Sequence, residues 1–148
     1  MAEETTDYVI VTDKGFQAPT TLVAENGVDA LLSNDLAQAV FLSNDVDAAA
    51  VEAHFDRLEL IIVDFPSFAD GRGMSLGVEL RRRGYQGRLQ ARGHVISDQY
   101  GQVRRCGVDE VAITSEQAQR QPEAQWMEQV QTLDETYQVR LEQTGKVA

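Results

Sequence analysis

Short β-branched runs alternate with segments of helical periodicity along most of the chain, and this alternation limits the folds open to it. Tyr8–Thr12, Ala39–Leu42 and Leu60–Val63 are bounded by turn residues and predict strands. Leu60–Val63 is apolar throughout, which is typical of a strand buried on both faces of a parallel sheet. Strand–helix–strand order at this spacing indicates βαβ units. We therefore predict an α/β protein with a mainly parallel sheet of about five strands and flanking helices, Rossmann-like or flavodoxin-like.

The length of the chain predicts one domain. Its 148 residues, of which 43% are hydrophobic, are enough to bury a single core. We expect residues 1–148 to form this domain, with an amphipathic terminal helix over residues 120–143. One apolar stripe of that helix consists of Trp126, Val130, Leu133, Tyr137 and Leu141. Its near-heptad spacing is compatible with packing on the chain's own sheet or with a homodimer contact.

The middle of the chain continues the alternation. A helix from Ser75 to Arg83 is predicted to have Ser75 as its N-cap and to stop at Gly84. Gly87–Ala91 is predicted to be a short strand near an edge of the sheet, and Ser97 is predicted to cap the next helix. Ligands of parallel sheets bind beyond the carboxyl ends of the strands. The loops that follow these strands are therefore the expected place of function.

Charge is distributed very unevenly in this chain of net charge −11. The segment Asp70–Arg105 holds eight arginines and three acids, a charge of +5, whereas the other five basic and 21 acidic residues give −16. The acidic balance argues against nucleic acid as a partner, and the basic segment indicates a local site for an anion. For Arg81, Arg82 and Arg83 we favour a solvated helix surface, because adjacent helical residues point in different directions.

The sequence also indicates the compartment. Residues 1–7 are acidic and lack an apolar run, so no secretory signal is visible. The most apolar stretch is far shorter than a membrane helix requires. The single cysteine, Cys106, cannot form an internal disulfide, which agrees with a reducing compartment. We expect a cytoplasmic protein without membrane association.

Metal and cofactor motifs are not evident. Two histidines and one cysteine do not supply the four ligands of a structural zinc site, so no metal is predicted. No iron–sulfur, flavin or nicotinamide fingerprint is present in the sequence, so no cofactor can be inferred from it. Cys106 follows two arginines, which would lower its pKa if they faced it, although such a cysteine is more often a small buried residue.

The stretch from Asp64 to Leu76 combines residues suited to an anion. Gly71 and Gly73 let a ligand approach the backbone, and the following helix would point free N–H groups toward it. Arg72 can bind a carboxylate, phosphate or sulfur oxyanion through two bonds. The glycine spacing matches neither a P-loop nor a dinucleotide fingerprint. The alternative is a tight turn capped by Asp70, in which the glycines only satisfy the backbone.

Acids near the strand ends have two interpretations. Asp64 is either a base or magnesium ligand, or it caps the next loop. Asp98 is either part of the site or an acid favoured by the helix dipole alone. No catalytic residue is assigned. The candidate substrate-binding set consists of Asp64, Asp70, Gly71, Arg72, Gly73, Ser75, Arg92, Asp98, Gln99 and Arg105.

These stretches resemble an uncharacterised bacterial family, the domain of unknown function 934. The resemblance begins with the long phrase from Asp64 through Asp-Gly-Arg-Gly to Leu76. It continues at Leu80, Arg81, Gly84, Tyr85, Gly87, Ala91, Gly93, Asp98, Gln99, Arg105, Cys106, Gly107 and Asp109. Members commonly have aspartate where this chain has His94 and arginine where it has Gln90.

The resemblance implies a role in assimilatory sulfate reduction, because members are usually encoded beside sulfite reductase and phosphoadenylyl-sulfate reductase. The first hypothesis is an accessory or anion-binding protein that acts with sulfite reductase or another sulfur-assimilation enzyme. The second is an enzyme, such as an oxidoreductase, that acts on a small anionic sulfur compound or a sulfated nucleotide. Its acid or base would be Asp64, Asp70 or Asp98, and Arg72 and Arg105 would clamp the substrate. The third is a receiver-like signalling domain, which shares the strand-end aspartate but lacks an acidic pair after the first strand.

Overall fold

One mixed sheet of seven strands forms the centre of the protein in the computed structural model, which describes residues 8–19, 22–67 and 71–132. The α/β class and the mainly parallel sheet are confirmed, whereas the expected count of about five strands was too low. Two of the strands are very short, with three and two residues, and no apolar run in the sequence predicts them. The strands are β1 (Tyr8–Thr12), β2 (Gly15–Gln17), β3 (Glu25–Asn26), β4 (Ala39–Leu42), β5 (Leu60–Phe65), β6 (Arg88–Gly93) and β7 (Glu110–Thr114).

Helices connect the parallel strands. They are α1 (Val28–Ser33), α2 (Ala48–Glu52), α3 (Arg72–Arg82), α4 (Tyr100–Arg105) and α5 (Ser115–Arg120), with 3₁₀ turns at Phe55–Arg57 and Ser97–Gln99. As predicted, glycines end α3 and α4: Gly84 and Gly107 have φ values of 105° and 98°, which side chains with a Cβ rarely adopt. None of the helices within the described ranges is long and apolar enough to span a bilayer.

The predicted terminal helix begins directly after Pro122, and residues 123–132 are helical. Trp126 and Val130 are buried in the main core, which shows that this part of the apolar stripe packs on the chain's own sheet. The remaining stripe positions, Leu133, Tyr137 and Leu141, lie outside the described residues. A homodimer contact through that part of the helix stays a prediction.

All crossovers of the parallel strands lie on one face of the sheet. The order is β2-β1-β7-β6-β5-β4-β3, so β3 to β7 follow one another in one direction. Right-handed crossovers then place every connecting helix on the same side. Helix side chains join a single core there, among them Leu31, Val51, Leu80, Val103 and Trp126. The reversal of strand order that creates the ligand crevice of Rossmann-like and flavodoxin-like sheets does not occur among these seven strands.

The opposite face of the sheet has a smaller apolar cluster and a row of polar side chains. The segment before β3 covers part of this face, since Ala39, Leu60 and Ile62 pack there against Leu22, Ala24 and Phe41. Alternate residues of a strand point to opposite faces. Because Leu89 and Ala91 of β6 belong to the main core, the row on this face consists of Arg88, Gln90 and Arg92.

Strand β6 is central, so the expectation of a strand near the edge was wrong. It lies between β5 and β7 and pairs with β5 over six residues. Its polar side chains, Arg88, Gln90 and Arg92, stand at alternate positions. They are accommodated centrally because they point away from the helix layer.

Two predicted caps were also wrong. Helix α3 begins before Ser75, because the backbone N–H of Ser75 donates to the carbonyl of Gly71 at 3.0 Å and closes an earlier turn. Ser97 does not cap α4. A 3₁₀ turn precedes that helix instead, and the Gln99 side chain accepts from the backbone N–H of Ile96 at 3.0 Å. Gln99 therefore has a structural role in this turn.

Candidate functional site

The candidate residues do not converge on one pocket. Helix α3 runs from the carboxyl end of β5 to the amino end of β6, and α4 makes the same crossing between β6 and β7. Arg72 at the start of α3 and Arg105 at the end of α4 therefore lie at opposite ends of the sheet. Asp98 is exposed in the turn before α4, and Asp70 lies outside the described residues.

Gly71, Arg72 and Ser75 line an open groove between the starts of α2 and α3. The other charged residues of its lining are Asp45, Asp47 and Glu79. Asp47 accepts a hydrogen bond from the backbone N–H of Ala49 at 3.0 Å and so caps α2. Three carboxylates beside one guanidinium make this groove unfavourable for an anion.

The glycines of the candidate stretches pack around Phe65. A Cβ on Gly73 would lie 2.7 Å from the Phe65 ring, and a Cβ on Gly93 would collide with the Phe65 carbonyl oxygen. The φ of Gly93, 127°, also favours glycine. Phe65 is 1% exposed and cannot easily move aside. These glycines let α3 and the end of β6 approach Phe65 closely.

Substitution of Gly73 by alanine should destabilise the protein by about 1–3 kcal/mol, because the added methyl group forces a buried ring to shift. Helix propensity alone would favour alanine by about 1 kcal/mol, so the sign of the effect identifies the clash. The matched control is Gly71→Ala, where a Cβ would meet nothing within 4 Å. Urea denaturation measures both, and equal midpoints for the two variants would contradict the packing role.

Arg81 is bonded on all three of its nitrogens. Nε donates to the carbonyl of Gly107 at 2.8 Å, and Nη1 donates to the carbonyls of Tyr85 and Gly87 at 2.9 and 2.8 Å. Nη2 pairs with Asp109 Oδ2 at 2.9 Å. We call these five residues the Arg81 cluster. Each of them belongs to the stretches that carry the family resemblance, and here they join loops at the amino end of the sheet.

Several other arginines pair with acids. Arg82 and Arg83 are exposed and contact Glu79, as expected for a solvated helix surface. Arg88 Nε lies 3.2 Å from Glu110 Oε2. Most arginines of the arginine-rich segment therefore make separate structural contacts and do not share one site.

Arg104 forms a network with Asp13 and Tyr100. Its Nη2 lies 2.8 Å from Asp13 Oδ2, and the Tyr100 hydroxyl donates to Asp13 Oδ1 at 2.6 Å. The hydrogen bond from Arg104 lowers the pKa of Asp13 despite partial burial. Burial, followed by the bond to Asp13, raises the pKa of Tyr100. This network fastens α4 to the turn after β1.

Asp13 should stabilise the protein above pH 4 and progressively less below it. Its pKa is lower in the folded state than the unfolded value of about 3.9, so its contribution is lost as the pH falls through the folded pKa. We expect Asp13→Asn to lower the urea midpoint at pH 7 and to differ less from the wild type at pH 3. Asp35→Asn, at an exposed position, is the control. A deficit of constant size at both pH values would refute this role.

Cys106 is half-buried, and burial raises the pKa of its thiol, with the nearby charge of Arg105 acting in the opposite direction. An activated thiolate needs a lowered pKa. The structure therefore favours the interpretation of Cys106 as a small packed residue.

Arg92 is half-buried and pairs with no carboxylate in the described part of the chain. Its Cζ lies 4.6 Å from the ring centroid of Tyr8 and 5.7 Å from that of Phe41. Nη2 makes one long hydrogen bond, 3.4 Å, to Gln90 Oε1, and Nε is enclosed without a hydrogen-bond partner among the described residues. Burial lowers the pKa of Arg92, with Tyr8 acting in the opposite direction. Two aromatic rings thus replace the usual counter-ion.

A cavity of about 240 Å³ opens beside Arg92, on the face of the sheet opposite the main core. Among the residues that the structure describes, its lining consists of Tyr8, Ile10, Pro19, Leu22, Ala24, Ile62, Gln90 and Arg92. We call this space the Arg92 cavity. Arg92 is the one charged member of that lining. Asp64 is half-buried and faces Arg92 in the register of β5 and β6, but it is not part of the lining.

Gln90 is held in a defined orientation. Its Nε2 donates to Glu110 Oε2 at 2.6 Å, and both residues are buried. The amide oxygen is thereby left to accept from Arg92. Gln90 thus links Arg92 to the buried Glu110, which also pairs with the exposed Arg88.

Sequence reasoning included Arg92 but missed the residues around it. Tyr8 lies 84 positions away along the chain, and Pro19, Leu22 and Ala24 belong to a segment without a clear pattern. One signal was available: Arg88, Gln90 and Arg92 alternate with apolar residues, which indicates a polar row on one face of a strand.

Within the described ranges, no three side chains of histidine, cysteine, aspartate or glutamate are grouped so that they could hold a metal ion. The titratable residues of the Arg92 cavity are one phenol and one guanidinium. The arrangement suits binding of a negative group more directly than acid–base chemistry.

Fold and site together define an α/β protein whose sheet has its helices on one face and a cavity with one arginine on the other. Comparison with family models identifies it further: the chain belongs to the family of bacterial proteins of unknown function DUF934, whose model matches residues 39–147. The matched range includes Gln90 and Arg92, whereas Tyr8, Pro19, Leu22 and Ala24 precede it. No curated protein matches the chain.

Proposed function

We propose that this protein binds a small anion at Arg92 and acts as an accessory protein of assimilatory sulfate or sulfite reduction, together with sulfite reductase or another enzyme of sulfur assimilation. The observation that supports the binding role is a half-buried guanidinium that lines a cavity and has no carboxylate partner in the described part of the chain. The family resemblance supports the choice of pathway.

Desolvation of an unpaired cation is unfavourable, because the charge loses water without gaining a counter-ion. Contacts with Tyr8 and Phe41 offset part of this cost, by about 0.5–2 kcal/mol each. A bound anion would offset more of it, since charge-assisted hydrogen bonds are strong where water is excluded. An arrangement that is incomplete without a ligand is expected at a functional position.

Binding has stronger support than catalysis. Among the described residues that line the Arg92 cavity there is no carboxylate or histidine. The enzyme hypothesis invoked a clamp of Arg72 and Arg105, which lie at opposite ends of the sheet. A receiver-like role has no support from the strand order, because receivers share the flavodoxin-like reversal.

Substitution of Arg92 by glutamine should weaken anion binding at least tenfold, the loss expected when a charge-assisted hydrogen bond is removed. Calorimetry with sulfite, sulfate and adenylyl sulfate at constant ionic strength measures this. Arg82→Gln is the matched control, since Arg82 is exposed and far from the cavity lining. Equal binding by both variants would place the anion elsewhere.

The accessory role needs a separate test. Immobilised protein should retain purified sulfite reductase, and Arg92→Gln shows whether the anion site contributes to that contact. If no anion binds and the reductase is not retained, the proposal fails.

A further inference from the structure

We infer that the Arg92 cavity takes an organic monoanion, a sulfonate or carboxylate with a short apolar body, in preference to inorganic sulfite or sulfate or to a sulfated nucleotide. This rests on the proposed function, in which Arg92 binds an anion, and it narrows the ligand class by three properties of the cavity.

The first property is size. At about 30 Å³ per liquid water, the 240 Å³ of the cavity hold about eight waters. Sulfite or sulfate would fill only a small part of that space. A sulfated nucleotide exceeds this volume, so part of it would remain outside the cavity. The volume corresponds to an anionic head group with a body of a few carbon atoms.

The second property is charge. Arg92 is the single charged residue among the described residues of the lining, so one negative charge can be matched there. A second negative charge would face aliphatic side chains without a partner, which is strongly unfavourable. A monoanion is therefore favoured over a dianion such as sulfate.

The third property is the polarity of the walls. Ile10 and Ile62 belong to the sheet, and Pro19, Leu22 and Ala24 belong to the segment that covers it. These five side chains offer only apolar surface. Each methylene group buried against such a wall should strengthen binding about threefold to fourfold. An inorganic oxyanion gains nothing from this part of the cavity.

Calorimetry with a homologous series tests the inference on the full chain. The ligands are sulfite, sulfate, methanesulfonate, propanesulfonate, butanesulfonate and butyrate, with butanol as the neutral counterpart and ethanedisulfonate as the dianion. We expect affinity to rise about threefold to fourfold per methylene from methanesulfonate to propanesulfonate. Ethanedisulfonate and butanol should bind at least tenfold more weakly than propanesulfonate.

A cavity-filling variant, Ala24→Leu, should weaken the binding of butanesulfonate at least tenfold. Its affinity for methanesulfonate should stay within about threefold of that of the wild type. Ala24 is half-buried in a covering segment, and thermal melting checks that the variant is folded. If that variant melts early, Ala24→Val serves in its place with a smaller effect in the same direction.

Distinct outcomes separate the two proposals. If sulfite or sulfate binds as tightly as propanesulfonate and chain length has no effect, the organic ligand is refuted while anion binding stands. If butanol binds as tightly as butanesulfonate, or if no member of the series binds, the anion site itself is refuted. If affinity rises with the length of the ligand's alkyl chain in the wild type, and Arg92→Gln abolishes this rise, both proposals are supported.

Discussion

Replacement of Arg81 by alanine is expected to lower the free energy of unfolding by about 3 kcal/mol, because it leaves three backbone carbonyls and the Asp109 carboxylate without their donor. For a domain of this size the melting temperature should fall by about 6–12 °C. Asp109 also accepts from the backbone N–H of Leu89 at 2.9 Å, so the loss should extend into the sheet. Differential scanning calorimetry measures the effect.

The neighbouring Arg82→Ala is the matched control for this variant. Arg82 contacts only Glu79 in an exposed ion pair at 3.6 Å, and its loss should change stability by no more than about 0.5 kcal/mol. Anion binding by Arg81→Ala should equal that of the wild type at a temperature where both are folded. If the two alanine variants melt together, the Arg81 cluster does not have the structural role assigned to it.

Replacement of Arg92 by methionine should have effects opposite to those of Arg81→Ala. Anion binding should be lost, and the free energy of unfolding should rise by about 1 kcal/mol. Methionine fits between Tyr8 and Phe41 as a flexible apolar chain, and it removes a desolvated cation that has no carboxylate partner among the described residues. The lost cation–π contacts limit the gain. A residue whose removal stabilises the fold and abolishes binding is retained for function.

Arg88→Met is the control on the same strand and face. Arg88 pairs with Glu110, which is 6% exposed, and removal of one partner leaves a buried carboxylate less compensated. This variant should therefore be destabilised by about 1–3 kcal/mol. If Arg92→Met is destabilised as much as Arg88→Met, Arg92 is an architectural residue and the anion site loses its main support.

The sheet could be predicted from the sequence where strands are long and apolar. Three strands can be recognised by their apolar composition, because most of their side chains are buried: Tyr8–Thr12, Ala39–Leu42 and Leu60–Phe65. β2 and β3 could not be predicted, because their three and two residues become strands only by pairing with neighbours already in place. The direction of the strand order likewise depends on tertiary packing that no local pattern encodes.

The candidate site shows why a high density of arginines in a sequence does not by itself indicate a shared cavity. Successive side chains on a helix or strand point in different directions, and the acids that pair with them come from distant segments, as with Asp13 and Arg104, 91 positions apart. Arg92 differs because its neighbours are aromatic rings and aliphatic walls. That environment is made by segments on both sides of β6 and is visible only in three dimensions.

The most direct test of the anion site is the Nε–Hε resonance of Arg92 in a ¹H–¹⁵N spectrum, assigned by its absence in Arg92→Met. This proton is enclosed and has no hydrogen-bond partner in the part of the chain that the structure describes, so its resonance should report any ligand that reaches the guanidinium. Titration with propanesulfonate at constant ionic strength should shift it saturably, with the Kd found by calorimetry, while the resonance of Arg82 stays unchanged. An Arg92 resonance that does not move, or that drifts together with Arg82 without saturating, would contradict the account.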